Sequence, residues 1–141
     1  MTGRPSVLFV CARNSGKSQL AAALMADLAG DAAEVRSAGT VPGDALNEQS
    51  VRALAELGID LTGERPRPVT EQLVRDADVV VTLGQEARVE PVPGTRFVTW
   101  DVDEPSARGI EGMARMRLVR DDIATRVRAL ATELGVGPRR Q

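Results

Sequence analysis

Ser6-Val7-Leu8-Phe9-Val10-Cys11-Ala12-Arg13-Asn14-Ser15-Gly16-Lys17-Ser18-Gln19 is an apolar run that stops at a cysteine, turns small and polar, and then enters the Ala/Leu-rich pattern of residues 20–28. The order predicts a strand, a tight loop and a helix. Asn, Ser and Gly tolerate unusual backbone angles and leave their N–H groups uncovered. A helix starting near Ser18 adds the unpaired donors and the positive dipole end of its first turn to the same spot. Such a loop is built for an oxyanion. Ala12, Arg13, Asn14, Ser15, Gly16, Lys17 and Ser18 are the candidate binding residues. Taken alone, a lone cysteine at a strand end is a small buried hydrophobe. Here Cys11 is followed by an anion loop, a helix N-terminus and Lys17, surroundings that favour a thiolate and make it the candidate nucleophile. Seventeen of the 18 basic residues are Arg, so the single Lys at position 17 marks a point charge placed to reach the bound anion.

Working outward, the chain of 141 residues has the size of one domain, 1–141, with enough length for a real core. An apolar fraction of 43% with a formal net charge of −2 argues against a general attraction to nucleic acid or membranes. Phe9, Phe97 and Trp100 are the only aromatic residues, too few for a base-stacking platform. No apolar run approaches the roughly 20 residues that span a bilayer, and Met1-Thr2-Gly3-Arg4-Pro5 shows no separate signal-peptide core; the expectation is a cytoplasmic protein. A single cysteine excludes an intrachain disulfide but leaves an intermolecular mixed disulfide open. The absence of histidine removes Ser-His-Asp and Cys-His catalysis and the usual zinc sites, leaving acid–base work to carboxylates or Lys17; no metal and no bound cofactor are expected.

Further along, Ala33–Ala38 is a second strand ending at Gly39. Val51, Leu54, Ala55 and Leu57 make an apolar stripe on a helix that Asn47 or Ser50 caps and Gly58 stops. Residues 60–68, with Gly63, Pro66 and Pro68 among charges, predict a loop crossing the surface. Thr70 caps a short helix, and the β-branched run Asp78–Leu83 is a buried parallel strand. A fourth strand, Thr95–Trp100, leads into the acidic turn Asp101-Val102-Asp103-Glu104-Pro105-Ser106. A long helix from Ile110 to Leu134 carries a core stripe that includes Met113 and Met116. Gly135-Val136-Gly137-Pro138 ends it, with 139–141 as a frayed tail. Alternating strands and helices imply an α/β fold: an open, parallel four-stranded sheet with helices on both faces. The loops after the first and fourth strands then leave the same edge of the sheet, which predicts a carboxylate facing the sulfur.

The first stretch resembles the phosphate loop of low-molecular-weight tyrosine phosphatases and, more closely, of the thiol-dependent arsenate reductases that share that fold. The likeness continues through Ser37-Ala38-Gly39-Thr40, Pro42-Gly43, Asn47, Gly58-Ile59, Ala77–Leu83, Trp100 before an acidic-Pro step, and Val119-Arg120-Asp121-Asp122-Ile123. It implies a low-molecular-weight phosphatase-like fold, arsenate as substrate, Cys11 as nucleophile, and Asn14 fixing the loop in a left-handed conformation. Ser18 is placed to hydrogen-bond the sulfur, and Arg13 faces outward as a candidate for the polar groups of a co-substrate.

The departures from the family pattern carry functional content. The family's Cys-x5-Arg has Lys17 in the Arg position, so the bidentate grip of a guanidinium is missing there. Reductases of this kind that resolve their own intermediate carry further cysteines, typically one soon after the third strand, where this chain reads Thr82-Leu83-Gly84-Gln85-Glu86. With no second sulfur nucleophile, the resemblance points to the arsenate–mycothiol transferase type. There an external low-molecular-weight thiol, mycothiol or similar, is the co-substrate and a mycoredoxin-like redoxin completes the reduction. The family's general acid is an Asp directly before Pro; here Glu104 adjoins Pro105 and Asp103 lies one residue earlier, so either is the candidate acid. No Tyr follows that step, which argues against protein phosphotyrosine as substrate. Other readings stay open: a phosphatase of small phosphoesters, a non-catalytic oxyanion-binding protein, and a P-loop NTPase or kinase built on Gly16-Lys17-Ser18. The last lacks a Mg²⁺-holding Asp at the end of the Val79–Leu83 strand.

Overall fold

The computed structural model describes residues 3–137. Four strands, β1 (Ser6–Cys11), β2 (Glu34–Gly39), β3 (Val79–Leu83) and β4 (Arg96–Trp100), pair in parallel in the order β2-β1-β3-β4. The helices are α1 (Lys17–Ala29), α2 (Glu48–Ala55), α3 (Glu71–Asp76) and α4 (Gly112–Leu134), with 3-10 turns at Gly30–Ala32 and Pro105–Arg108. The expected α/β sheet is present. Because β1 sends its crossover to β2 on one side while β3 lies on the other, the strand order reverses between β1 and β3. That opens a crevice at their carboxyl ends, beside Cys11.

Both faces of β1 and β3 are covered, as an unbroken apolar run requires. Successive side chains alternate: Val7, Phe9, Val79 and Val81 point to one layer, Leu8, Val10 and Val80 to the other. The first layer holds α1, α2 and α4 through Leu20, Leu24, Met25, Ala53, Leu54, Met116, Val119, Ile123, Val127 and Leu130. The second holds only α3, through Val74, with Ala77 and Ala87 beside it. Helices do lie on both faces, but unequally, because six-residue α3 offers one buried side chain. Each wholly buried Val, Leu or Phe contributes about 1.5–3 kcal/mol, and Phe9 also meets Trp100 at a tilted 5.7 Å ring separation. The Met116–Leu130 stripe of α4 is core, as its spacing predicted.

Local caps follow the sequence. The Asn47 side chain accepts from Ser50 N at the start of α2, and Thr70 Oγ1 accepts from Leu73 N at the start of α3. Two segments differ from expectation. The long helix begins at Gly112 rather than Ile110, since a 3-10 turn ending at left-handed Gly109 precedes it. Residues 60–68 do more than cross the surface: Leu61 is buried, and Gly39 donates to Arg67 O and accepts from Val69 N, extending the sheet beyond β2. The loop's own polar groups find partners there, which a surface crossing would leave to water. The frayed tail expected at 139–141 lies outside the described residues. Among the described residues, no helix is long and apolar enough to cross a membrane.

Candidate active site

The loop between β1 and α1 is shaped by where its carbonyls go. Cys11 O accepts from Thr40 N (3.2 Å), Ala12 O from Val41 N (2.7 Å), Arg13 O from Gly43 N (2.9 Å) and Ser15 O from Asn47 N (2.7 Å). Asn14 O accepts from Gln19 Nε2 (3.1 Å) and Gly16 O from Leu20 N (2.9 Å). All these peptides are trans, so each following N–H points the opposite way, into the concavity. Six consecutive carbonyls turned outward therefore make a bowl of inward N–H groups, an anion nest. The strand after the bowl leaves no room for a side chain. A Cβ on Gly39 would lie 2.8 Å from Ala12 O and 2.9 Å from Asn14 Cβ.

Asn14 is the keystone of this loop. It is fully buried and is the one non-glycine residue with positive φ (54°) among those described. Its Oδ1 accepts from the backbone N–H of Arg67 (2.9 Å), which settles which end of the amide faces which way. Nδ2 then donates to Ser18 Oγ (2.7 Å), leaving the Ser18 proton for Cys11 Sγ at 3.0 Å. Asn14 N also donates to Sγ (3.2 Å), so two donors converge on the sulfur. Gln19, 2% exposed, ties Asn14 O and Oδ1 to Arg65 O, joining the bowl to the 60–68 segment.

A cavity of about 360 Å³ opens above the sulfur. Of the residues expected from sequence, Cys11, Ala12, Arg13, Ser15, Gly16 and Lys17 line it. Asn14 and Ser18 do not: both are fully buried beneath the bowl, and their side chains hold its shape. Arg13 is exposed and lies over Gly43, facing outward. The two carboxylates of the acidic turn part company. Asp103 turns to Arg108 in a bidentate pair (2.8 and 3.1 Å). Glu104 accepts from Arg115 Nε (2.6 Å) and Nη2 (2.8 Å) and from Ser106 Oγ (2.8 Å), and lies 3.7 Å from Lys17 Nζ. The carboxylate expected to face the sulfur is therefore not there: neither Asp103 nor Glu104 lines the cavity, because Arg108 and Arg115 draw them aside, and the acidic turn meets the cavity only through Lys17 and Arg115. The Arg115 guanidinium, helped by Ser106, holds the Glu104 carboxyl down at about 2, and Arg108 holds Asp103 below the usual carboxylate range.

Several residues that build the site carry no local signal. Arg115 from α4 and Glu86 after β3 line the cavity. Asp122 of α4 accepts from Asp103 N (2.8 Å), and Arg126 donates to Asp101 O (2.9 Å), so α4 pins the first half of the acidic turn. Among the described residues no group of three or more His, Cys, Asp or Glu side chains could hold a metal ion. A larger cleft of about 620 Å³, between α3 and residues 88–93, holds neither the cysteine nor the lysine.

Residues 6–138 match the low molecular weight phosphotyrosine protein phosphatase family. An arsenate reductase of Halalkalibacterium halodurans is 36% identical over 131 residues, 89% of this chain and 94% of that one. Among solved structures, a thioredoxin-dependent arsenate reductase of Corynebacterium glutamicum superposes with a TM-score of 0.82 at 30% identity, covering 95% of this chain and 63% of that longer one. A second, an arsenate reductase in a phosphate-binding state, gives a TM-score of 0.80 at 28% identity over 92% of this chain and 98% of its own.

Proposed function

The chain belongs to the low molecular weight phosphotyrosine protein phosphatase family, and from that footing we propose that it is an arsenate reductase that passes arsenic to an external thiol. The observation that carries this reading is one sulfur at the floor of an oxyanion bowl with no second cysteine anywhere in the 141 residues. The relatives named arsenate reductase support the substrate. One neighbour is named for dependence on thioredoxin; the lack of a resolving sulfur here favours a small thiol of the mycothiol kind in the first step and a redoxin in the second.

In this mechanism the N–H groups of residues 12, 13 and 15–17 and the Lys17 charge hold three arsenate oxygens while Asn14 N stays on the sulfur, and the Cys11 thiolate attacks arsenic. An As–S bond forms, an As–O bond breaks, and the oxygen leaves as water after protonation. Of the two candidate acids Glu104 is the nearer to the cavity, through Lys17 and Arg115, while Asp103 is engaged by Arg108; the same cations hold it ionised, so it carries a proton only once the oxyanion has drawn them away. The external thiol then displaces Cys11 from arsenic. A redoxin thiolate attacks the sulfur of the thiol–arsenic adduct; that S–As electron pair passes to arsenic, releasing arsenite and a mixed disulfide. Cys11 ends as it began.

The test is arsenate turnover with mycothiol and a redoxin, in wild type and Cys11→Ser, with intact-mass detection of the thiol adduct. Turnover confined to the wild type supports the reading, and full activity in the serine variant discards the site. Turnover with thioredoxin alone would replace the small thiol. Hydrolysis of p-nitrophenyl phosphate without arsenate turnover would make the protein a phosphatase of small esters.

A further inference from the structure

Resting on that oxyanion reading, we infer that Arg115 is the second anion-binding cation of the site, supplying from α4 the guanidinium that position 17 lacks. Arg115 lines the same cavity as Cys11 and Lys17. Its planar fork already grips an anion edge-on, with Nε and Nη2 on the two oxygens of Glu104 at 2.6 and 2.8 Å. Two oxygens on one edge of a tetrahedral oxyanion present the same pattern to the same donors. Lys17 Nζ lies 3.7 Å from the same Glu104 oxygen that Nη2 holds, so the two cations already converge on one small anionic group. The Arg115 side chain is only 23% exposed, which limits competition from water, and its Nη1 has no protein partner among the described residues.

Charge balance gives Glu104 a matching part. Counting all the charged side chains that line the cavity, Arg13, Lys17 and Arg115 against Glu86, the Glu104 carboxylate in place leaves a net +1 and displaced leaves +2, the match for a dianion. Glu104 is an internal counter-ion with which an arriving oxyanion competes for the fork. Arg115 lines the cavity while Glu104 does not, so the guanidinium is the member of the pair that an arriving anion reaches.

The experiment measures inorganic phosphate binding as protection of Cys11 from iodoacetamide, a neutral reagent, followed by intact mass on the full chain. Arg115→Ala should raise the half-protecting phosphate concentration about tenfold or more, the loss expected for a charge-assisted fork, and Arg115→Lys should fall between. Glu104→Gln should tighten phosphate, and only while Arg115 is present. Lys17→Arg should recover most of the loss in the Arg115→Ala background and add little in the wild type. Protection within twofold of wild type in Arg115→Ala overturns the inference. So does a loss that disappears when Glu104→Gln is added, since the effect would then come from a freed carboxylate. If Arg115→Ala does not fold, Arg115→Lys decides, unchanged protection there being the overturning result. Phosphate results in the expected pattern without arsenate turnover by any thiol would retire the reductase and leave Arg115 standing; turnover with unchanged protection would do the reverse.

Discussion

Replacing Gly39 with alanine tests whether the bowl depends on close approach of the strand that follows it. The added Cβ would meet Ala12 O at 2.8 Å, Asn14 Cβ at 2.9 Å and the Arg13 carbonyl carbon at 3.0 Å. Comfortable separations between such atoms are about 3.5–4.0 Å, so something must move by roughly half an ångström or more. Gly39 cannot retreat easily, because its N–H is held by Arg67 O and its carbonyl by Val69 N. The loop must therefore yield, and overpacking of this kind costs about 2–3 kcal/mol. In urea that is a midpoint lower by roughly 1–2 M at the usual slope for a small domain. A shift of that size in the N–H groups facing the anion loses on the order of one charge-assisted hydrogen bond, about 1.5 kcal/mol, and should weaken phosphate protection of Cys11 about tenfold. Gly43→Ala is the matched control: its Cβ meets nothing nearer than Arg13 Nε at 3.5 Å, an ordinary contact. A Gly39→Ala protein within about 0.5 kcal/mol of wild type, with phosphate protection within twofold, would refute the claim that this glycine is required by the loop.

Asn14→Ala should lose about 3 kcal/mol in urea denaturation, from a left-handed alanine and from the Ser18, Gln19 and Arg67 groups left without their amide; a loss under about 1 kcal/mol would mean that the amide network does not hold the bowl. Glu104 has its pKa lowered to about 2 by Arg115, so its stabilising contribution is complete above the ordinary value of 4.5 and is lost as the pH falls through 2. The stability gap between wild type and Glu104→Gln should be about 1 kcal/mol at pH 7, after discounting for a side chain 39% exposed, and should close between about pH 4.5 and pH 2. A gap that does not change with pH would show that the ion pair contributes nothing.

The parts of the fold legible in the sequence are those governed by neighbouring residues. The apolar run into Cys11, the caps at Asn47 and Thr70, and the α4 stripe from Met116 to Leu130 each obey a local rule, and each stands where that rule put it. Residues 60–68 were not legible because their partners are distant: Arg67 meets Gly39 and Asn14, while Arg65 meets Gln19, 46 residues away. A Gly/Pro/charge composition predicts irregular backbone correctly, but composition cannot show that this backbone completes a sheet edge and braces a loop.

The same distinction explains the charges of the site. Position 17 could be seen to lack a guanidinium because the resemblance to the family's Cys-x5-Arg pattern sets Lys17 in register with Cys11. Its replacement at Arg115 could not, since one Arg among 17 on an otherwise solvated helix face has no local mark. Nor could spacing choose between Asp103 and Glu104. What separates them is the geometry of α4, which brings Arg115 to Glu104 and uses Asp122 to fix the backbone of Asp103, leaving the Asp103 side chain to Arg108. Cation placement in this protein is thus decided by how α4 packs against the first layer of the sheet. For the same reason, a substitution at the α4 stripe, remote from the sulfur, should alter anion affinity whenever it shifts Arg115.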